Sequence, residues 1–291
     1  MASNKEIVFV TGGNTGLGYE IVKALYQSPR AYDIIIGSRT VSKGEDAIAT
    51  LQKEIPQPGG GSGTSTLSVQ QADLESDASL ERAVEAIAAQ HGGRLDVLIN
   101  NGGASFDNDI APRGRGMSVR EAFNAMWDVN VSGTHVLTQL AAPLLLKSGS
   151  EGGNPRLLFV TSGTSTLAET EDFDTPMGRR LNASPAAGWP KKSTAGEGAG
   201  TMSITGYRSA KTGLNMLMRE WARILRNDGV KVWAVSPGFL ATGLAGVGAE
   251  KLKAAGALDP SVGGETVRQV VEGKRDGEVG KVVRRDVVQP W

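Results

Sequence analysis

The chain contains no cysteine, which excludes disulfides, thiolate nucleophiles and cysteine-ligated metals. Histidine is nearly as scarce: His91 and His135 are the only two, so no His-rich metal site is expected. Charge of either sign is not in excess. The 31 Lys and Arg balance 31 Asp and Glu, and no overall field draws the chain to nucleic acid or an anionic membrane. No window offers roughly 18 uninterrupted apolar residues, the length a membrane-crossing helix needs. The first residues, Met1 to Glu6, lead straight into a short apolar run without the long apolar stretch of a secretory signal. A cytoplasmic location is the expectation, with neither nucleic acid nor membrane as partner.

What is present is an alternation. Short β-rich runs at 6–11, 33–38, 66–71, 95–100, 156–162 and 230–236 read as strands. Longer segments at 17–27, 43–53, 80–90, 131–147 and 207–226 carry apolar residues at helical spacing. Runs such as Ile7-Val8-Phe9-Val10 and Leu157-Leu158-Phe159-Val160 are apolar throughout, as in strands covered on both faces. Alternating strands and helices predict an α/β fold with a parallel, doubly wound sheet (a Rossmann fold), whose ligands bind beyond the carboxyl ends of the strands. The 291 residues are read as a single domain. Two segments break the rhythm: a Gly-rich loop at 56–65, and an insertion at about 164–203 with acids at 169–174 and glycines at 196–200. A loop of that length in a compact domain is usually functional.

The first strand ends in Thr11-Gly12-Gly13-Asn14-Thr15-Gly16-Leu17-Gly18, and a helix follows. Gly12 suits a tight turn, Gly16 a close backbone approach to a pyrophosphate, and Gly18 close helix packing; the N–H groups around Asn14, Thr15 and Leu17 open the helix towards an anion. The second strand ends Ser38-Arg39 without an acid. A carboxylate there would accept from a ribose 2′-OH, whereas Arg39, helped by Ser38, suits a 2′-phosphate; NADP(H) is therefore the expected cofactor. Asp73, followed by Leu74, either accepts from an adenine amino group or supplies the acid at the start of the next helix. Asn101 and Gly102, after the fourth strand, are either cofactor contacts or an ordinary Asn-Gly turn. Tyr207 and Lys211 lie four apart on a predicted helix, hence on one face, where the ammonium would stabilise a phenolate and make the phenol more acidic.

Taken in order, these residues resemble the short-chain dehydrogenase/reductase family over nearly the full chain. The resemblance rests on the TGxxxGxG loop at 11–18, Asn100-Asn101-Gly102-Gly103, Asn130, Ser162 after the fifth strand, YxxxK at Tyr207 and Lys211, and Pro237-Gly238 after the sixth. The insertion before Tyr207, the step Gly188-Trp189-Pro190 and the ending Val287-Val288-Gln289-Pro290-Trp291 look most like the carbonyl reductase group. Two departures stand out: Gly102 replaces an alanine, and Thr15 stands where carbonyl reductases often place a basic residue. The resemblance implies NADPH-dependent reduction of a ketone, aldehyde or quinone, or the reverse reaction as an alcohol dehydrogenase or ketoreductase. A non-catalytic NADP sensor is the alternative from another class. It further implies Tyr207 as proton donor and Lys211 as its modulator and a grip on the nicotinamide ribose. Ser162 would be the donor to the substrate oxygen, and Asn130 the anchor of a proton-relaying water. Pro237 and Gly238 would lie beside the nicotinamide, and Thr242 would hold its carboxamide. Residues 239–256 are read as a substrate lid; Met177, Trp189 and Phe239 either wall the substrate site or pack elsewhere. Because the insertion precedes the Tyr-bearing helix through which relatives often pair, a monomer is expected.

Overall fold

Strands that are apolar at every position need cover on both faces. The computed structural model describes residues 5–58, 64–189, 191, 204–246 and 248–291. Its elements run β1 (Glu6–Thr11), α1 (Gly16–Tyr26), β2 (Tyr32–Ser38), α2 (Val41–Glu54), β3 (Thr66–Gln71), α3 (Asp77–Gln90), β4 (Val97–Asn100), α4 (Val119–Trp127), α5 (Gly133–Ser150), β5 (Arg156–Val160), α6 (Pro176–Asn182), α7 (Thr205–Ile224), β6 (Lys231–Val235), α8 (Ala249–Ala254), α9 (Pro260–Val271), β7 (Val282–Arg284) and β8 (Val287–Gln289). The strands form one sheet in the order β3-β2-β1-β4-β5-β6-β7-β8. Its first seven members are parallel, as expected; β8 is a departure, returning antiparallel to β7. Only Arg285 and Asp286 separate those two strands, too few residues for a crossover.

Successive strand residues point to opposite faces, so each apolar run feeds two cores. On one face Phe9, Leu157, Phe159 and Val232 pack with Leu80 and Ile87 of α3, Leu137 and Leu145 of α5 and Leu214 and Met218 of α7. On the other, Val8, Val10, Leu158 and Trp233 pack with Ile21, Val22 and Leu25 of α1 and Val267, Val270 and Val271 of α9. Helices α1 and α9 approach closely, since a Cβ on Gly264 would lie 2.3 Å from Glu20 O. The Ser28 hydroxyl donates to Glu272 Oε1 at 2.7 Å beside that contact.

The strand order reverses between β1 and β4, and their carboxyl ends open a crevice there. Of the loop at 56–65, residues 59–63 lie outside the described residues. The insertion begins with short turns at Gly163–Ser165 and Ala168–Glu171 and then α6; its residues 190 and 192–203, including the glycines at 196–200, lie outside the described residues. No helix among the described residues is long and apolar enough to cross a membrane.

Candidate active site

The loop after β1 is shaped by backbone contacts that leave no room for side chains. Gly12 (φ +63°) and Gly16 (φ +54°) adopt left-handed conformations that glycine reaches without steric cost. Gly18 answers a different constraint: a Cβ there would lie 2.0 Å from Gly12 O, so α1 meets the loop through bare backbone. Thr15 is the extended N-cap of α1 and makes no side-chain cap bond, which leaves first-turn N–H groups available to an anion. Leu17 packs towards α9, where a Cβ on Gly263 would lie 2.7 Å from Leu17 Cδ1. Across the loop, a Cβ on Gly16 would lie 3.7 Å from Thr242 Cβ, so the segment after β6 closes one side of the crevice. Pro237 is buried behind it, and Gly238 (φ +99°) turns the chain.

Asn101 supports this loop from behind. Its Nδ2 donates to Thr11 O at 2.9 Å and Gly12 O at 3.5 Å. Thr11 Oγ1 accepts from the N–H groups of Asn101 (3.0 Å) and Gly102 (2.8 Å). The Asn101 side chain therefore shapes the glycine turn. A Cβ on Gly102 would lie 2.8 Å from Leu74 Cδ1, and one on Gly133 would lie 1.9 Å from Leu74 O, so buried Leu74 fills the space between β4 and α5.

At the tip of β2 the roles divide differently from the sequence reading. Ser38 is buried and its hydroxyl donates to Thr40 O at 2.8 Å, so it secures the turn into α2. Arg39 is 73% exposed along its side chain, and its Nη1 lies 3.6 Å from Glu75 Oε2. An open hollow beside the loop is lined by Asn14, Thr15, Gly16 and Tyr19 with Lys43 and Asp46, so a second cation missed in the sequence stands there beside a carboxylate. Asp73 forms a local turn, its Oδ1 accepting from Glu75 N–H at 3.2 Å. The acid in the first turn of α3 is Asp77, and Ser76 is its cap, so the helix-charge reading of Asp73 falls away.

Beyond the end of β5, Thr161 stays buried with its N–H on Val235 O at 2.8 Å, and Ser162 caps the short turn at Gly163–Ser165. The Ser162 hydroxyl shares a hydrogen bond with Thr164 Oγ1 at 2.9 Å and accepts from Thr164 N–H at 3.1 Å. Helix α7 brings Tyr207 and Lys211 to the same place, with Lys211 Nζ 5.8 Å from the Tyr207 ring centroid. Lys211 is buried and donates to Val160 O at 3.0 Å. Asn130 lies in a π-helical turn, Asp128–Ser132, between α4 and α5, a local widening frequent at functional sites. Its Nδ2 donates to Ala104 O and Met126 O, both at 2.8 Å. Its Oδ1 lies near Gly103, where a Cβ would be 2.7 Å from that oxygen and 3.1 Å from Lys211 Nζ. The step 102–103 thus joins the two halves of the site, because a Cβ on Gly12 would also lie 3.2 Å from Gly102 Cα.

The electrostatic balance differs from the expected one. Burial pushes the Tyr207 phenol up to about 12, and its hydrogen bond with Ser162 is the opposing, lowering influence. Burial also pushes Lys211 down to about 8. In the protein alone, desolvation outweighs the acidifying pull expected from the neighbouring ammonium.

Sequence reasoning missed the supports. Asp107 is buried and caps α7 at Tyr207, Oδ1 accepting from Gly206 N–H at 2.9 Å and Oδ2 from Tyr207 N–H at 3.0 Å. Asn215, one turn beyond Lys211, accepts from Thr161 Oγ1 at 2.6 Å and donates to Ser165 Oγ at 2.9 Å. The segment read as a lid carries a short turn at Gly243–Ala245 and then α8. Its base is tied by Ala241 N–H to Leu258 O at 2.9 Å and Leu258 N–H to Phe239 O at 2.8 Å. Trp189 is 87% exposed and so packs against little, while Phe239 is 36% exposed; the Met177 side chain and Pro190 lie outside the described residues. No cluster of three or more His, Asp or Glu able to hold a metal occurs among the described residues.

Comparison with known proteins agrees with this geometry. The family model for short chain dehydrogenase matches residues 6–171 and 192–252. The chain is 44% identical to short-chain dehydrogenase/reductase eupG of Phoma sp, covering 100% of this chain and 99% of that one. It is 41% identical to short-chain dehydrogenase/reductase tropE of Talaromyces stipitatus, covering 99% of both. Among solved structures, NADPH-bound carbonyl reductase from chicken fatty liver superposes with a TM-score of 0.73 at 18% identity, over 99% of this chain and 100% of that one. A glycine cradle, a Tyr–Lys pair on one helix and family-wide similarity along its length together place this chain in the short-chain dehydrogenase/reductase family of oxidoreductases.

Proposed function

We propose that the protein reduces a carbonyl group, in a ketone, aldehyde or quinone, to an alcohol using NADPH. The observation that carries this reading is the convergence of Tyr207, Lys211 and Ser162 one glycine step from the loop after β1. The cradle fits a dinucleotide, because its wall is bare backbone at Gly12, Gly16 and Gly18, positions where any side chain would collide or be strained. Gly12, Asn14, Thr15 and Gly16 would hold the pyrophosphate, Arg39 with Lys43 the 2′-phosphate, and Asp73 and Leu74 the adenine. Tyr207 and Lys211 would hold the nicotinamide ribose, with Pro237, Gly238 and Thr242 at the carboxamide. Bound there, NADPH supplies the hydride.

The chain's own residues manage the proton. Tyr207 keeps its hydrogen throughout the neutral range, since burial raises its pKa, and donates it as negative charge develops on the substrate oxygen. The Ser162 hydroxyl donates to the same oxygen and orients the carbonyl. Lys211, while protonated, stabilises the phenolate that Tyr207 becomes, and Asn130 stands beside it across Gly103. The alcohol-oxidising direction uses the same groups in reverse. The reading is tested by following NADPH absorbance with acetophenone, menadione and an acetoacetyl thioester, with NADH in parallel. Consumption no faster than the protein-free rate with every carbonyl would overturn it.

Two outcomes follow from the charges. Arg39→Asp replaces the phosphate partner with a ribose-hydroxyl acceptor. It is expected to shift the NADPH/NADH ratio of kcat/KM towards NADH by about ten- to a hundredfold, the worth of one or two charge-assisted hydrogen bonds. An unchanged ratio would count against Arg39 as the phosphate contact. The second outcome is a pH profile. Lys211 is cationic below its lowered pKa of about 8 and neutral above it, whereas Tyr207 stays protonated to about 12. Reduction should hold level below that lower pKa and decline above it, and Lys211→Met should lack the decline.

A further inference from the structure

We infer that Gln289, two residues from the carboxyl end of the sequence, is a positioning residue for Ser162. The inference rests on the reading of Ser162 as the donor to the substrate oxygen. Gln289 is 1% exposed, and its Nε2 donates to the Ser162 carbonyl at 3.1 Å. Ser165 Oγ donates to the same carbonyl at 2.6 Å. Ser165 N–H reaches that oxygen too, at 3.1 Å, as the local turn bond, so Gln289 is the one of these three donors that comes from a distant part of the fold. Ser165 is tied through Asn215 to α7, the helix that bears Tyr207 and Lys211. Gln289 belongs to β8, where it is paired with Val282. Ser162 is therefore strung between the tyrosine helix and the last strand of the sheet.

The terminal hairpin is itself anchored to the start of the insertion. Arg284 grips Glu169 through two parallel bonds, at 3.0 and 2.5 Å. Ala168 N–H donates to Trp291 O at 2.7 Å, and Arg219 stacks 5.4 Å above the Trp291 ring. The start of the insertion and the active serine thus share one brace. The Gln289 side chain is a poor choice for a purely structural position. Its Oε1 is buried and has no partner among the described residues, a costly arrangement that an aliphatic side chain would avoid. Its Nε2 bond to Ser162 is the return for that arrangement.

The test uses the full chain and menadione as the carbonyl probe, with kcat referred to the concentration of NADPH-binding chains so that misfolded material does not enter. Gln289→Met keeps side-chain length and removes the donor. It is expected to lower kcat by about ten- to a hundredfold, the effect of a small misplacement at a reacting centre, with the NADPH Kd unchanged by fluorescence titration. In a Ser162→Ala background the same substitution should lower kcat no further, because the group it positions is gone. Gln289→Glu, which sets an acceptor against the Ser162 carbonyl, should reproduce the loss and its disappearance in that background. Wild-type kcat in Gln289→Met, or an equal loss in both backgrounds, would overturn the positioning role alone. Failure of the unaltered protein to reduce menadione or any other carbonyl in the panel would overturn this inference together with the proposed function.

Discussion

Tyr207→Phe is expected to lower carbonyl reduction by about a hundred- to ten-thousandfold, the range attributed to a positioned general acid, while NADPH binding, with Lys211 still on the nicotinamide ribose, stays nearly intact. The contrast is sharp because the substitution removes one atom. The Tyr207 ring packs in a small cluster with Ala122, Met126, Val131 and Ala210, and phenylalanine keeps that packing. Asp107 bonds the backbone N–H of residue 207, so the helix start is also preserved. What disappears is the hydroxyl that Ser162 addresses and that, on the proposed function, supplies the proton. Single-turnover reduction together with nucleotide titration separates the two effects. Substantial turnover in the variant would refute the proton-donor role.

Gly18→Ala should be the most damaging single methyl group in the molecule's first fifth. Its Cβ would lie 2.0 Å from Gly12 O, and the obstacle is main chain, which cannot swing aside as a side-chain tip does. Overpacking of this kind costs about 1–3 kcal/mol. If the strain is relieved by moving the loop off α1, the cost appears as a loss of roughly ten- to a hundredfold in NADPH affinity. Gly277→Ala is the control, since its Cβ would meet nothing within 4 Å. Nucleotide titration and thermal unfolding of both variants check this; a Gly18→Ala protein with ordinary affinity and melting temperature would show that the loop is not the cradle.

The legible parts of this fold were those whose cause is local. Strand β1 was read to the residue because an apolar run ends abruptly in glycines. The fifth strand was drawn two residues too long: Thr161 is a good strand former by type and still bonds Val235 O, but Ser162 already caps the turn at Gly163–Ser165. Helix α4 was overlooked although its signal was present: Ser118 and Glu121 form a reciprocal capping box. Helix α9 likewise announces itself with Asp259-Pro260, a cap followed by proline in the first turn. In the site, motif residues were visible because glycine and Tyr-x-x-x-Lys spacing are constraints along the chain. Their supports were not. Asp107 finds Gly206 across 99 residues, Asn215 finds Thr161 across 54, and Gln289 finds Ser162 across 127; no spacing rule reaches that far.

The packing of α1 on α9 has a consequence for how the protein is made. The ribosome releases α9 after helices α1 to α8, yet Ile21, Val22 and Leu25 beneath the glycine loop find their apolar cover there. During synthesis the amino-terminal third therefore emerges with its strands and first helix unsealed, and long-range closure of this kind is slow. A nascent chain halted before residue 260 would carry every glycine of the nucleotide loop and still lack the surface that keeps α1 in place.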